Sequence, residues 1–372
     1  MLSSLTAIAA LLGTTLALGG YRCRHLLPLW SSDRKVKLDF SPAKLSDLDI
    51  AVILLLLLFR SIRHSLAAVF GCSSRHVDNA TAASDQDELS LTIPLQISPA
   101  DFDAYAKATK STADVSHGWN SSQALFFLSA LTEPAMLLLL ARSSCKLRPL
   151  GAVNVRNRFE LFKPTLCTRE ALLSLGKAVV TARLSNRKRI VKRGLEVDLW
   201  VSLDIPSKDF GESVAIFRQR FTILQFTKVQ ADFAKKVEEQ ELIPGNTTFD
   251  PVQLTLDYND PTLWARICKD YNPIHTSAIA AKALGFQGRL AHGNHIGALA
   301  ATYMAAASEN DPLCMEINFR RPVIVPSKLV LSMFPVTMGK KQSDLIAFEV
   351  LHRDKRCIEG KVGCISDMVV AD

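Results

Sequence analysis

The sequence predicts an α+β fold made of two successive units, each an apolar helix wrapped by a curved antiparallel sheet. Three observations carry this expectation. A run from Ala124 to Ala141 is apolar almost throughout, and a second from Ile296 to Ala307 repeats it. Each run is followed by segments that alternate apolar and polar residues. These are Lys177 to Leu184, Gly194 to Asp204 and Val214 to Thr222 in the first half, and Lys328 to Val336, Asp344 to His352 and Arg356 to Ile365 in the second. Alternation such as Val197, Leu199, Val201 and Leu203 marks half-buried antiparallel strands. Third, short segments recur in the same order. His117-Gly118, Asn157-Arg158-Phe159 and Lys163-Pro164 in the first half answer His292-Gly293, Asn318-Phe319-Arg320-Arg321 and Pro326-Ser327-Lys328 in the second.

The helical runs need separate justification, because Ala124–Ala141 is long enough to be mistaken for a membrane span. Glu133 and Pro134 stand near its middle, and an unpaired charge in lipid is expensive. A buried core helix is therefore expected. Two folded units also suit a chain of 372 residues. With 48% hydrophobic and 22% charged residues, the composition supports an ample core.

The net charge of +8 invites a nucleic-acid reading, but no aromatic-interleaved basic motif accompanies it. Much of the excess sits in Arg183, Arg187, Lys188, Arg189, Lys192 and Arg193, which read as a solvated hairpin between two strands. Eight cysteines are scattered without a C-x-x-C pair or zinc-like Cys/His spacing. Free thiols in a reducing compartment follow, and no metal site is expected.

Ahead of these units, Met1 to Gly20 contains no charged side chain and is followed by Arg22, Arg24 and His25. About 20 residues are needed to cross a bilayer as a helix, and basic residues after the run would leave the remainder in the cytosol. A membrane-anchored, endoplasmic-reticulum-like location is expected, with a mitochondrial transit segment as the alternative. A second apolar run, Ile50 to Phe59, continues into Arg60, Ile62, Arg63 and Leu66, a pattern suited to a membrane-surface helix or an imperfect second span. Residues 72–88 read as a linker. The expected organisation is an anchor and linker over 1–88, one unit over 89–240 and another over 241–372.

The second unit carries the chemistry. Asp260-Pro261 offers a helix start, and the helix stops before Asp270-Tyr271-Asn272-Pro273-Ile274-His275. A carboxylate and an imidazole stand five residues apart on an Asn-Pro turn, and Gly288-Arg289-Leu290-Ala291-His292-Gly293 then opens a helical run. Two such groups on one water perform general acid–base chemistry, and N–H groups at a helix start stabilise an oxyanion. The two blocks, D-x-N-P-I-H and G-R-x-A-H-G, resemble the MaoC-like family, the (R)-specific enoyl-CoA hydratases also called hydratase 2. The resemblance is firm from about Pro261 to Asp372. It implies the hotdog architecture, here doubled, as in eukaryotic hydratases of this type.

By that resemblance Asp270 and His275 are the catalytic pair, Asn272 orients the water or the pair, and Gly293 gives its N–H to the thioester oxygen. His292 shapes the turn beneath and belongs with His295, Arg320 and Arg321 to the substrate-binding set. His295 stands where an apolar residue is usual, and either lines an acyl tunnel or is a tolerated rim histidine. Arg320 and Arg321 would meet carrier phosphates, with a salt-bridged strand end as the equal alternative. Ala298 stands where some members have serine. The first half lacks the D-x-N-P-x-H block and is expected to be silent, supplying the groove for an acyl chain.

The implied activity interconverts trans-2-enoyl and (3R)-3-hydroxyacyl thioesters, with coenzyme A or an acyl carrier as part of the substrate and no cofactor. Alternatives are a dehydratase tailoring a polyketide or other secondary metabolite, and a non-catalytic acyl-thioester-binding scaffold. A homodimer is a further expectation.

Overall fold

The protein is described from a computed structural model covering residues 21–69, 88–111, 119–148, 151–206, 213–227, 249–304, 310–338 and 341–368. The uncharged run Met1–Gly20, most of the expected linker, and Asp114 with His117 lie outside these residues. Eleven strands form one sheet: β1 (Lys35–Lys37), β2 (Leu89–Leu95), β3 (Ala152–Leu161), β4 (Ala178–Val191), β5 (Gly194–Pro206), β6 (Ser213–Phe226), β7 (Val252–Leu256), β8 (Leu313–Phe319), β9 (Ser327–Met338), β10 (Lys341–His352) and β11 (Lys355–Cys364). Their order is β1-β2-β4-β5-β6-β3-β8-β11-β10-β9-β7. All pairings are antiparallel except β1 with β2. The two halves meet where β3 pairs with β8, Asn157 opposite Ile317 and Phe159 opposite Met315.

The helices are α1 (Asp47–Val69), α2 (Pro99–Thr109), α3 (Ser121–Ala141), α4 (Arg169–Ser174), α5 (Asp260–Cys268), α6 (Pro273–Thr276), α7 (Ala278–Ala283) and α8 (Gly293–Ala301). Helix α3 starts at a reciprocal cap. Asn120 Oδ1 accepts from Gln123 N at 2.8 Å, and Gln123 Oε1 accepts from Asn120 N at 3.0 Å. It is apolar and long enough to cross a bilayer, yet 89% of its most apolar window is enclosed by the protein. Leu125, Phe126, Phe127, Leu128, Leu138 and Leu139 are fully buried in the core the sheet wraps. The second unit repeats the arrangement with α8, and Gly297 lets the two helices approach. A Cβ there would lie 2.6 Å from the Phe126 ring. The doubled hotdog is thus the architecture of the chain.

Hairpin chemistry sets the registers. Between β10 and β11 the two loop residues, Arg353 and Asp354, have φ of 52° and 61°, the twist that a two-residue antiparallel turn demands. The basic run does form a hairpin, β4 to β5, in which Arg189 binds Asp198 Oδ1 at 2.7 Å through Nη2.

Residues 21–62 are folded onto the first unit, which extends it beyond the expected start at 89. Strand β1 pairs with β2. Ile50 and Ile53 of α1 are buried, in one hydrophobic cluster with α3 side chains. The Arg60 guanidinium is buried and donates to the carbonyls of Leu140, Cys145 and Leu147, the last at 3.0 Å. Leu140 lies in the last turn of α3, whose carbonyls have no intrahelical donor, so Arg60 works as a cap from a neighbouring helix.

Candidate active site

The two sequence blocks form one hydrogen-bonded unit. Asp260, at the start of α5, accepts from Asp257 N at 2.7 Å and pairs with Lys110 of the first half at 2.8 Å. The helix ends at Lys269, whose φ of 57° reverses the chain. Asp270 Oδ1 then accepts from Asn272 N at 3.1 Å, and Asn272 Oδ1 accepts from Ile274 N at 3.3 Å. Such side-chain turns are what Asx residues before proline favour. They start α6, which carries His275. Asn272 therefore sets the course of the backbone into α6.

Four bonds clamp the second block to this turn. Leu290 N donates to Ile274 O at 3.0 Å, and Arg289 Nε donates to His275 O at 2.9 Å. The His275 Nδ1–H donates to Leu290 O at 2.9 Å, and the His292 Nε2–H donates to Asp270 O at 3.1 Å. Because a carbonyl only accepts, these contacts define the tautomers of both neutral rings. His275 is left with a free Nε2 lone pair. The two rings stack at 3.7 Å between centroids.

Donor atoms of Asp270, His275 and His292 all lie within 4.8 Å of one another. The Asp270 side chain is 20% exposed, while that of His292 is 5% exposed. His275 is half-buried. Burial lowers the His275 pKa from its ordinary 6.5, against the opposing pull of the Asp270 charge and the Leu290 bond. Burial, reinforced by His275, pushes His292 further down. Neutral imidazoles beside a carboxylate suit proton transfer near neutral pH.

Gly293 opens α8, and His292 gives it no side-chain cap. First-turn N–H groups have no intrahelical acceptor. A Cβ on Gly293 would lie 2.4 Å from the Phe319 ring, so only glycine fits beneath that aromatic edge.

The geometry gives the four expected substrate-contact residues structural partners within the protein. His295 is fully buried, stacks on Trp264 at 5.1 Å and donates Nε2–H to Ala108 O at 2.9 Å. It joins the halves, enclosed among the described residues, and burial lowers its pKa to about 4. His292, buried and bonded to the Asp270 carbonyl, is a positioning residue. Arg320 is drawn to Glu359, with Nε at 2.9 Å, and Arg321 Nη1 donates to Arg356 O at 2.8 Å. For Arg320 the salt-bridged strand end is what the structure contains, and Arg321 is held by a backbone carbonyl.

Two residues gained no role from the sequence. Arg289, 5% exposed, holds the His275 carbonyl and Thr262 Oγ1 at 2.5 Å. Glu133 of α3 is 6% exposed, with an unpartnered Oε2. Burial and the Asp270 charge raise its pKa well above 4.5, against a hydrogen bond with Asn294. Asn294 follows Gly293 and also accepts from Asn157 Nδ2 at 2.6 Å. Glu133 thus brings a buried carboxyl from the first half up to the site. Its signal was a lone charge in an apolar helix.

Comparison with known proteins bears on the family and the fold. The family profile described as MaoC like domain matches residues 240–353. A relative named 3-hydroxyacyl-thioester dehydratase X, from Mycobacterium tuberculosis, is 25% identical over 235 residues, covering 63% of this chain and 75% of the relative. The crystal structure of HtdX from the same organism matches with a TM-score of 0.52 at 23% identity, over 74% of this chain and 99% of that one. A MaoC-like dehydratase from Phytophthora capsici matches at 0.53 and 13% identity, over 74% and 94%. The two structural matches show the fold.

Proposed function

With a MaoC-like domain formed by residues 240–353, we propose that this chain is a hydro-lyase interconverting trans-2-enoyl and (3R)-3-hydroxyacyl thioesters. The observation that carries the reading is the approach of the Asp270 carboxylate and the His275 ring to within 4.8 Å, at the start of α8. The name of the Mycobacterium relative fits the same reaction class.

In this reaction one water is taken up between the two groups. One of them takes its proton as the oxygen attacks the β-carbon, and the other supplies a proton to the α-carbon. The elements of water add across one face of the double bond, or leave in reverse. The roles belong to the pair, since both groups act on one solvent molecule. Charge developing on the thioester oxygen is met by the Gly293 N–H, and such a donor is typically worth ~2.7–4 kcal/mol of barrier. No electron is transferred, so the reaction balances with water alone. The thioester carrier belongs to the substrate. The first half is read as silent.

The test is incubation of the full chain with crotonyl-CoA and longer enoyl-CoAs, following loss of the conjugated double bond and the configuration of the product. The (3R) alcohol is expected, and Asp270→Asn should lower the rate by at least ~10²-fold. A wild-type protein that leaves every chain length untouched sinks the reading. Binding without turnover would instead fit the scaffold alternative, and turnover confined to unusual acyl groups the tailoring one.

A further inference from the structure

The outward face of α1 is inverted relative to a helix in water. Leu48, Leu55, Leu58, Phe59 and Ile62 are between 41% and 64% exposed. At 3.6 residues per turn they share one side of the helix. No charged residue stands between Asp49 and Arg60, and both of these turn inwards. Asp49 is 3% exposed and meets His25 at 3.2 Å, while Arg60 caps α3. A surface helix ordinarily packs its apolar side and wets its charged side. Between Asp49 and Arg60 the packed side holds the charges and the exposed side is leucine and phenylalanine, while an exposed charge beside it, Asp47, sits at the helix start.

The segment beside the first turn of α1 has the same character. Tyr21, Leu27 and Trp30 are exposed at 64%, 63% and 49%, and Arg24 lies over the Tyr21 ring at 4.4 Å. His25 of this segment is the partner of Asp49. Tyr21 follows directly on twenty residues without a charged side chain. Tyrosine and tryptophan with neighbouring arginine are the residues that settle at a lipid headgroup boundary.

We propose that the outward face of α1 lies on a lipid bilayer, with Leu55, Phe59 and Ile62 among the acyl chains and Tyr21 and Trp30 at the headgroups. The run Met1–Gly20, uncharged and of the ~20 residues a bilayer span needs, favours lipid over a second copy of the chain as the occupant. Docking also has a geometric result. Ile50 and Ile53, on the inner side of α1, share an apolar crevice with Pro134 and Lys269. Lys269 immediately precedes Asp270. A helix with its side chains is about 10–12 Å across, so the bilayer lies about one helix diameter from the loop that carries the catalytic pair.

The test needs no turnover, so its failure is separate from that of the hydro-lyase reading. The full chain is bound to phosphatidylcholine vesicles containing some phosphatidylserine. An environment-sensitive fluorophore is placed on Leu55→Cys, on Phe59→Cys and on Ile279→Cys, a residue 83% exposed on α7. Wild-type chain labelled in parallel corrects for native thiols. Labels at 55 and 59 should shift to the blue on vesicle binding and be quenched by brominated lipid, whereas the label at 279 should do neither. Water-like emission at 55 and 59 in the vesicle-bound protein overturns the proposal, as does a chain that fails to float with vesicles. Shielding of both labels without lipid, in a protein that sediments as a dimer, gives the face to a second copy and overturns it as well.

Discussion

Helices α3 and α8 occupy equivalent places in the two halves but are built for different work. The first is 21 residues long, starts at a reciprocal side-chain cap and is enclosed almost end to end. The second is nine residues long, starts without a side-chain cap at a glycine pressed against Phe319, and buries Asn294 and His295 in its first turn. One half concentrates apolar burial, and the other carries the polar groups and free helix start that acid–base chemistry requires. The exchange between them is local. Glu133 reaches from α3 towards Asp270, and His295 reaches from α8 to the Ala108 carbonyl. Each half therefore holds one buried titratable group on behalf of the other.

The most severe way to break this division is to hollow out α3. Phe127 is fully buried and stacks on Phe102 at 4.3 Å. Phe127→Ala should cost about 3–5 kcal/mol of stability, read from denaturant unfolding. Little loss would mean that α3 is not the main source of burial.

Acid sharpens the comparison next. His295 titrates near 4 in the folded chain against 6.5 when unfolded, so the unfolded state binds the proton first. Stability is kept above pH 6.5 and falls as pH drops towards 4, by up to about 3 kcal/mol. Melting temperatures from pH 7 to 4 should fall less steeply in His295→Gln, which keeps an N–H for Ala108. Parallel curves would remove His295 from the account.

A third effect runs the opposite way. Glu133 has its pKa raised by burial and by Asp270, so its contribution is complete below about pH 4.5 and is lost as pH rises. Glu133→Gln keeps an acceptor for Asn294 without the charge. It should melt with wild type in acid and progressively above it in alkali. A gap of constant size across the range would show that ionisation of Glu133 plays no part.

Much of this was legible in the sequence, for identifiable reasons. Alternation located the strands because each has one buried face, as in Val197, Leu199, Val201 and Leu203. The turn at Asp270–His275 was legible because Asx and proline act on their own neighbours. What local pattern does not encode is contact across the chain. His295 meets a carbonyl 187 residues away, and Asn294 meets an asparagine 137 residues away. The three residues of β1 carry too short a pattern to announce a strand, so the attachment of residues 21–62 was missed. Arg320 reads equally as an anion ligand or a surface partner until Glu359 is seen beside it.

The seam between β3 and β8 has a consequence for dissecting this protein. Each strand is the other's sole neighbour on that side, with Arg156 opposite Asn318 and Leu161 opposite Leu313. Severing the halves would leave two raw ladders of unpaired amides, each an adhesive template for any extended peptide. A truncated fragment bearing residues 240–353 would then tend to clump, so the intact chain is the form to assay.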